Sequence, residues 1–169
     1  MLTYKIGPLE TNSPQDYLKE KELHKHPMGI WAFRSFSGDF EFFIKRHLVL
    51  AEGGWNVGEL AMQLNDWLET GLQTDFHYDC MDAEEKDLFT FINHGGTFQF
   101  YAEWAAEGLP KPIARQDLEE FISVFRADVK ERIECELGFN VSAYLGQYLP
   151  LKLSCVRFIA HADAPQSSG

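Results

Sequence analysis

Asn56-Val57-Gly58-Glu59-Leu60-Ala61-Met62-Gln63-Leu64-Asn65-Asp66-Trp67-Leu68-Glu69-Thr70-Gly71 carries the marks of a complete helix. Asn56 has a side-chain oxygen suited to an orphan N–H of the first turn, and Glu59 stands three residues later, as in a capping box. Val57, Leu60, Ala61, Leu64, Trp67 and Leu68 recur at helical spacing and form one apolar stripe. Gly71 stands where a left-handed residue closes a helix. Both ends agree with the period, so the segment reads as a helix facing a core.

Upstream, residues 29–52 are rich in aromatic and β-branched side chains. Ile30 to Phe36 reads as a strand, Ser37-Gly38-Asp39 as a turn, and Phe40 to Lys45 as the returning strand of a hairpin. Leu48-Val49-Leu50 continues it or forms a third strand, and Gly53-Gly54 breaks the pattern. Thr3 to Ile6 reads as a short strand ended by Gly7-Pro8. Ser13-Pro14 then opens a short helix through Tyr17 and Leu18 to about Leu23, before Pro27.

Downstream, Asp75 to Cys80, Leu88 to Ile92 and Thr97 to Trp104 read as strands, the last two joined by Asn93-His94-Gly95-Gly96. A second helix is expected from about Gln116 to Leu137. Leu118, Phe121, Ile122, Phe125, Val129 and Ile133 line its inner face, and Glu119, Glu120, Arg126, Lys130, Glu131 and Glu134 its outer one. Beyond Gly138 the reading is a short helix around Tyr144 to Leu149 and a strand from Leu151 to Phe158. The fold class expected is α+β: a mostly antiparallel sheet of about five to six strands with two main amphipathic helices packed on it. The 169 residues make one domain, with residues 1–28 as an N-terminal extension and 159–169 as a flexible tail.

The net charge is −11, which repels phosphate backbones and anionic headgroups, so neither nucleic acid nor membrane is expected as a partner. The acidity is uneven. Residues 1–50 hold seven Lys/Arg and six Asp/Glu, residues 51–150 hold six and nineteen, and residues 151–169 hold two and one. The negative charge therefore belongs to the segment spanning the two helices. Cys80, Cys135 and Cys155 are few, odd in number and far apart, which fits a reducing, cytoplasmic setting. No basic-then-apolar leader opens the sequence, and no apolar run approaches a membrane span.

Catalytic signatures are weak. The sequence has no GxSxG, P-loop or GxGxxG pattern. His24 and His26 diverge if helical, and His77 and Asp79 share a face if extended, but further zinc ligands are missing nearby. The acids Asp75, Asp79, Asp82, Glu84, Glu85 and Asp87 resemble a calcium loop only superficially. Counting from Asp75, position 3 is His77, position 6 is Cys80 and position 12 is Lys86, where calcium needs oxygen donors, glycine and glutamate. The acids form either a solvated turn or a contact surface for a basic partner. Cys135 and Cys155 are expected to pack as small hydrophobes, and Trp31, Trp55, Trp67 and Trp104 to serve the core or line a pocket. No catalytic residue, metal or cofactor is expected.

Phe40 to Ile44, Gly58 to Leu68, Asp75 to Tyr78, Phe98 to Trp104 and the helix from Asp117 together resemble small immunity proteins of bacterial polymorphic toxin systems, the WapI-type group and its relatives, over about residues 38–134. The resemblance implies a non-enzymatic protein that binds a cognate toxin, with a basic nuclease as one such toxin. The contact residues expected are Asp79, Asp82, Glu84, Glu85 and Asp87, with Glu119, Glu120 and Glu131 as a second patch. The alternatives are a small-molecule-binding or enzymatic α+β domain with an aromatic-lined pocket, and an oligomeric accessory protein. The oligomeric state is left open.

Overall fold

The computed structural model describes residues 1–11, 36–80, 83–103, 105 and 112–137. Residues 30–35 of the strand expected over Ile30 to Phe36, the short helix over 14–23, Trp31, Asp82, Trp104 and everything after Leu137 lie outside the described residues. The described elements are β1 (Leu2–Ile6), β2 (Glu10–Thr11), β3 (Phe36–Ile44), β4 (His47–Trp55), α1 (Val57–Glu69), β5 (Phe76–Tyr78), β6 (Phe89–Asn93), β7 (Thr97–Tyr101), β8 (Ile113–Ala114) and α2 (Arg115–Leu137). The class is α+β, as expected. The strands form two antiparallel sheets, where one was expected: β3 paired with β1, β2 and β4, and the series β5-β6-β7-β8.

Ser37-Gly38-Asp39 is no turn. It lies inside β3, whose Phe36, Gly38, Phe40, Phe42 and Ile44 alternate into the core with period two. The reversal comes at Lys45-Arg46, both left-handed at φ 50° and 71°, the twist that a two-residue hairpin loop requires. Neither residue is glycine or asparagine, so each pays roughly 1–2 kcal/mol for that conformation. Gly53-Gly54 likewise stays within β4, at a register irregularity. A second irregularity leaves Val49 unpaired between Phe42↔Leu50 and Phe43↔Leu48, so Val49 and Leu50 are buried side by side.

β1 and β2 share one edge of β3. Leu2↔Ile44 through Ile6↔Phe40 keep one register, and Glu10↔Ser37 begins another, shifted by one residue. The kink between them, Gly7-Pro8-Leu9, presses against Gly38. A Cβ there would stand 3.2 Å from both Pro8 O and Leu9 Cδ2, which explains a glycine inside a strand. Residues 1–11 are thus an edge of the first sheet.

α1 is closed at both ends by its own sequence. Asn56 Oδ1 accepts the Glu59 N–H at 2.9 Å. Leu72 N–H reaches Trp67 O at 3.3 Å and Gly71 N–H reaches Leu68 O at 2.9 Å, a Schellman closure with Gly71 at φ 74°. Trp67 and Leu72, the pair that packs in this motif, are both buried. α2 buries Leu118, Phe121, Ile122, Phe125, Val129 and Ile133, as its spacing predicts.

The core between sheets and helices is mostly aromatic. Phe42 meets Phe91, Phe100 and Phe121 at centroid distances of 6.2, 5.4 and 5.0 Å, so it joins both sheets to α2. Trp67 brings α1 onto Phe76, Phe91 and Phe98. Burying such rings against each other supplies both area and preferred edge or offset contacts.

Candidate functional site

The acidic turn hangs between β5 and β6. Leu88 N–H bonds Tyr78 O at 3.0 Å and closes its base. Asp79 and Asp87 work on the turn itself. Asp79 Oδ1 accepts the Asp87 N–H at 2.8 Å, and Asp87 Oδ1 lies 2.8 Å from His77 Nδ1. These bonds hold Asp87 in the left-handed region at φ 54°. Gln63 Nε2 donates to Asp79 O at 2.8 Å and to Glu59 Oε1 at 3.3 Å, which moors the turn to α1. Glu84 and Glu85 are exposed at its head beside Lys86. Asp82 lies outside the described residues.

The second acidic patch stands elsewhere. Glu119 is partly exposed and lies 3.7 Å from Arg115, whose guanidinium donates to Gly71 O at 2.5 Å and Leu72 O at 3.2 Å. That ties Glu119 to the C-terminal end of α1, while Tyr78 Oη donates to Asn56 O at the N-terminal end, next to the acidic turn. Glu120 and Glu131 are exposed on α2. The fold therefore gathers Asp79, Glu84, Glu85 and Asp87 into one turn and anchors Glu119 at the opposite end of α1.

Of the four tryptophans, Trp55 and Trp67 lie in the core, 8% and 6% exposed, with Trp55 stacked on Tyr78 at 5.4 Å. Trp55 Nε1 is buried without a hydrogen-bond partner among the described residues. Cys80 is half-buried, and Cys135 is exposed on α2, contrary to its expected role as a small core residue. The helix stripe explains this: position 135 falls between the inward positions 129 and 133 and the end of the helix, off the apolar face. Among the described residues no three His, Cys, Asp or Glu side chains converge as a metal site. No helix among them is long and apolar enough to cross a membrane.

A polar system that sequence reading overlooked lies along α2. Asp117, Asp128, Arg132 and Glu136, at spacings of 11, 4 and 4, share one helix face with Phe121 and Phe125. They hold the N-terminal strand along its length. Met1 N lies 3.1 Å from Asp117 Oδ2, and Tyr4 Oη donates to Asp128 Oδ2 at 3.0 Å while its ring meets Phe125 edge-on at 5.0 Å. Arg132 donates to Ile6 O at 2.8 Å, Gly7 O at 2.7 Å and Glu136 Oε1 at 2.6 Å. Glu136 Oε2 accepts the Leu9 N–H at 3.0 Å. Of the kink's main-chain groups, Gly7 O and Leu9 N–H are thereby satisfied from α2, while Gly7 N–H donates to Asp39 O of β3 at 2.7 Å. Burial, reinforced by the Asp128 carboxylate, pushes the Tyr4 phenol well above its ordinary value. Partial desolvation acts to raise Glu136, but the hydrogen bonds from Arg132 and Leu9 and the nearby guanidinium charge outweigh it and hold the carboxyl below its usual range.

The sequence profile of a family described as Domain of unknown function (DUF7878) matches residues 14–135, more than two thirds of the chain. The chain belongs to this family. The DUF7878 span takes in both helices nearly whole and every strand from β3 to β8, including the acidic turn, while β1, β2 and Glu136 stand outside it. No curated protein and no solved structure matches the chain.

Proposed function

We propose that this protein is a non-enzymatic immunity or inhibitor-type protein that binds and neutralises a cognate protein toxin in the cytoplasm. The observation that carries the reading is the acidic turn: Glu84 and Glu85 stand exposed at its head while Asp79 and Asp87 brace its base. A braced acidic projection loses little conformational entropy on docking and draws in a partner of opposite charge. A nuclease toxin with a basic cleft is the partner chemistry that this surface complements.

The test is capture from the native host with the wild-type chain and with Glu84→Lys/Glu85→Lys, followed by a growth-protection assay against the captured toxin. The double variant should lose at least tenfold in binding and should fail to protect, with an unchanged melting temperature. Undiminished binding and protection would remove the turn from the interface.

A further inference from the structure

The N-terminal strand is held chiefly through its backbone. Arg132 donates to two carbonyls, those of Ile6 and Gly7, and Glu136 accepts one main-chain N–H, that of Leu9. The β3 edge adds ladder pairing from Leu2↔Ile44 to Ile6↔Phe40 and resumes it at Glu10↔Ser37. Contacts of this kind bind an extended segment with little regard to its sequence, and pockets for alternate side chains add the selectivity. Here the selective positions are Leu2, Tyr4 and Ile6, which alternate toward the core, and Leu9.

The seat and its occupant differ in depth. β3 and the inner face of α2 send fully buried side chains into the core, whereas Leu9 alone among residues 1–10 is buried. Local opening follows shallow burial, so the segment 1–11 is expected to detach before β3 and α2, on which it sits. The seat, apart from Glu136, also lies inside the family's matched span, and the occupant lies before it.

We propose that the groove between the β3 edge and the Asp117–Glu136 face of α2 is a strand-accepting binding site, filled in cis by residues 1–11. A protein partner docks there by displacing them with an extended segment of its own that carries apolar or aromatic residues at alternate positions. Exchange replaces one set of ladder bonds with another, so its free-energy change is small beside that of opening the core. The inference stands apart from the acidic turn, and either surface can fail without the other.

The probe is a synthetic peptide of residues 1–11, added to the isotopically labelled full chain carrying Thr3→Cys and Phe43→Cys. These two positions face each other in the ladder, outside the fully buried core, so oxidation locks β1 to β3. In the reduced form the peptide should shift amide signals along β3 and α2. It must compete with a tethered copy whose effective concentration is on the order of millimolar, so peptide at several times that level is required. Oxidation should weaken binding at least tenfold. Equal binding in both redox states, or unchanged β3 and α2 signals in the reduced form, overturns the proposal. Hydrogen exchange on the unmodified chain supplies a second readout. Amides of β1 should exchange at least tenfold faster than those of β3 paired with β4, and equal rates would mean that the segment leaves only when the whole fold opens.

Discussion

The inward face of the second sheet and the N-terminal edge of the first are both antiparallel β-structure, yet different forces hold them. Phe76, Tyr78, Phe89, Phe91, Phe98 and Phe100 are buried against one another, Trp67 and Phe42. The N-terminal edge is half-exposed and depends on directional bonds to Asp128, Arg132 and Glu136. Apolar burial is non-directional and survives small shifts, while a hydrogen-bonded seam is strong only in register and is lost when one partner is removed. The first region is therefore a foundation and the second a seam that can open.

The largest test of that contrast is Phe91→Ala. Phe91 is 1% exposed and touches Phe42, Trp67, Phe76, Phe89 and Phe100. The cavity should cost roughly 3–5 kcal/mol in urea denaturation, and a loss below about 1 kcal/mol would contradict a close-packed aromatic core. Arg132→Ala comes next. It should cost about 2 kcal/mol, with protection from hydrogen exchange lost across β1 and retained in β6 and β7; a uniform loss would erase the distinction between seam and foundation.

Asn56→Ala, which removes the cap on Glu59 N–H, should cost about 1 kcal/mol by the same denaturation assay. The pH dependence sharpens the seam further. Glu136 holds its proton less tightly in the folded chain, so its contribution is complete above the unfolded value of roughly 4.3 and disappears as pH falls through the lower folded value. Tyr4 runs the other way: its contribution is complete below roughly pH 10 and fades as pH rises toward the elevated folded value. Denaturation midpoints followed across pH should lose their acid slope in part with Glu136→Gln and their alkaline slope in part with Tyr4→Phe. Smallest of all, Glu84→Lys/Glu85→Lys should move stability by no more than about 0.5 kcal/mol, since both side chains are exposed.

The two helices were legible because their signals are local. Asn56, the apolar stripe and Gly71 act within a few residues of one another, and the inner face of α2 follows from spacing alone. Ser37-Gly38-Asp39 misled for the converse reason. Its residue types favour a turn, but Gly38 is needed for the close approach of Pro8 and Leu9, more than twenty-five residues away in the chain. The true reversal, Lys45-Arg46, carries no turn signature, and its left-handed geometry comes with the pairing of β3 and β4. In the candidate site, the acidity of residues 79–87 was plain in the sequence, but the division between bracing Asp79 and Asp87 and projecting Glu84 and Glu85 was not. That division depends on His77, Gln63 and the Asp87 backbone meeting in space.

By itself the sequence determined the α+β class, the limits and inner faces of both helices, and the confinement of negative charge to the segment that contains them. Each is a matter of composition or of residues within a few positions of one another, and such short-range preferences act before the chain is folded. Only the tertiary structure decided the split into two sheets, the turn at Lys45-Arg46, the division of labour in the acidic turn, and the seam that Arg132 and Glu136 close over residues 1–11. These depend on groups brought together across as many as 127 positions of chain, where the pairing of main-chain polar groups outweighs local preference.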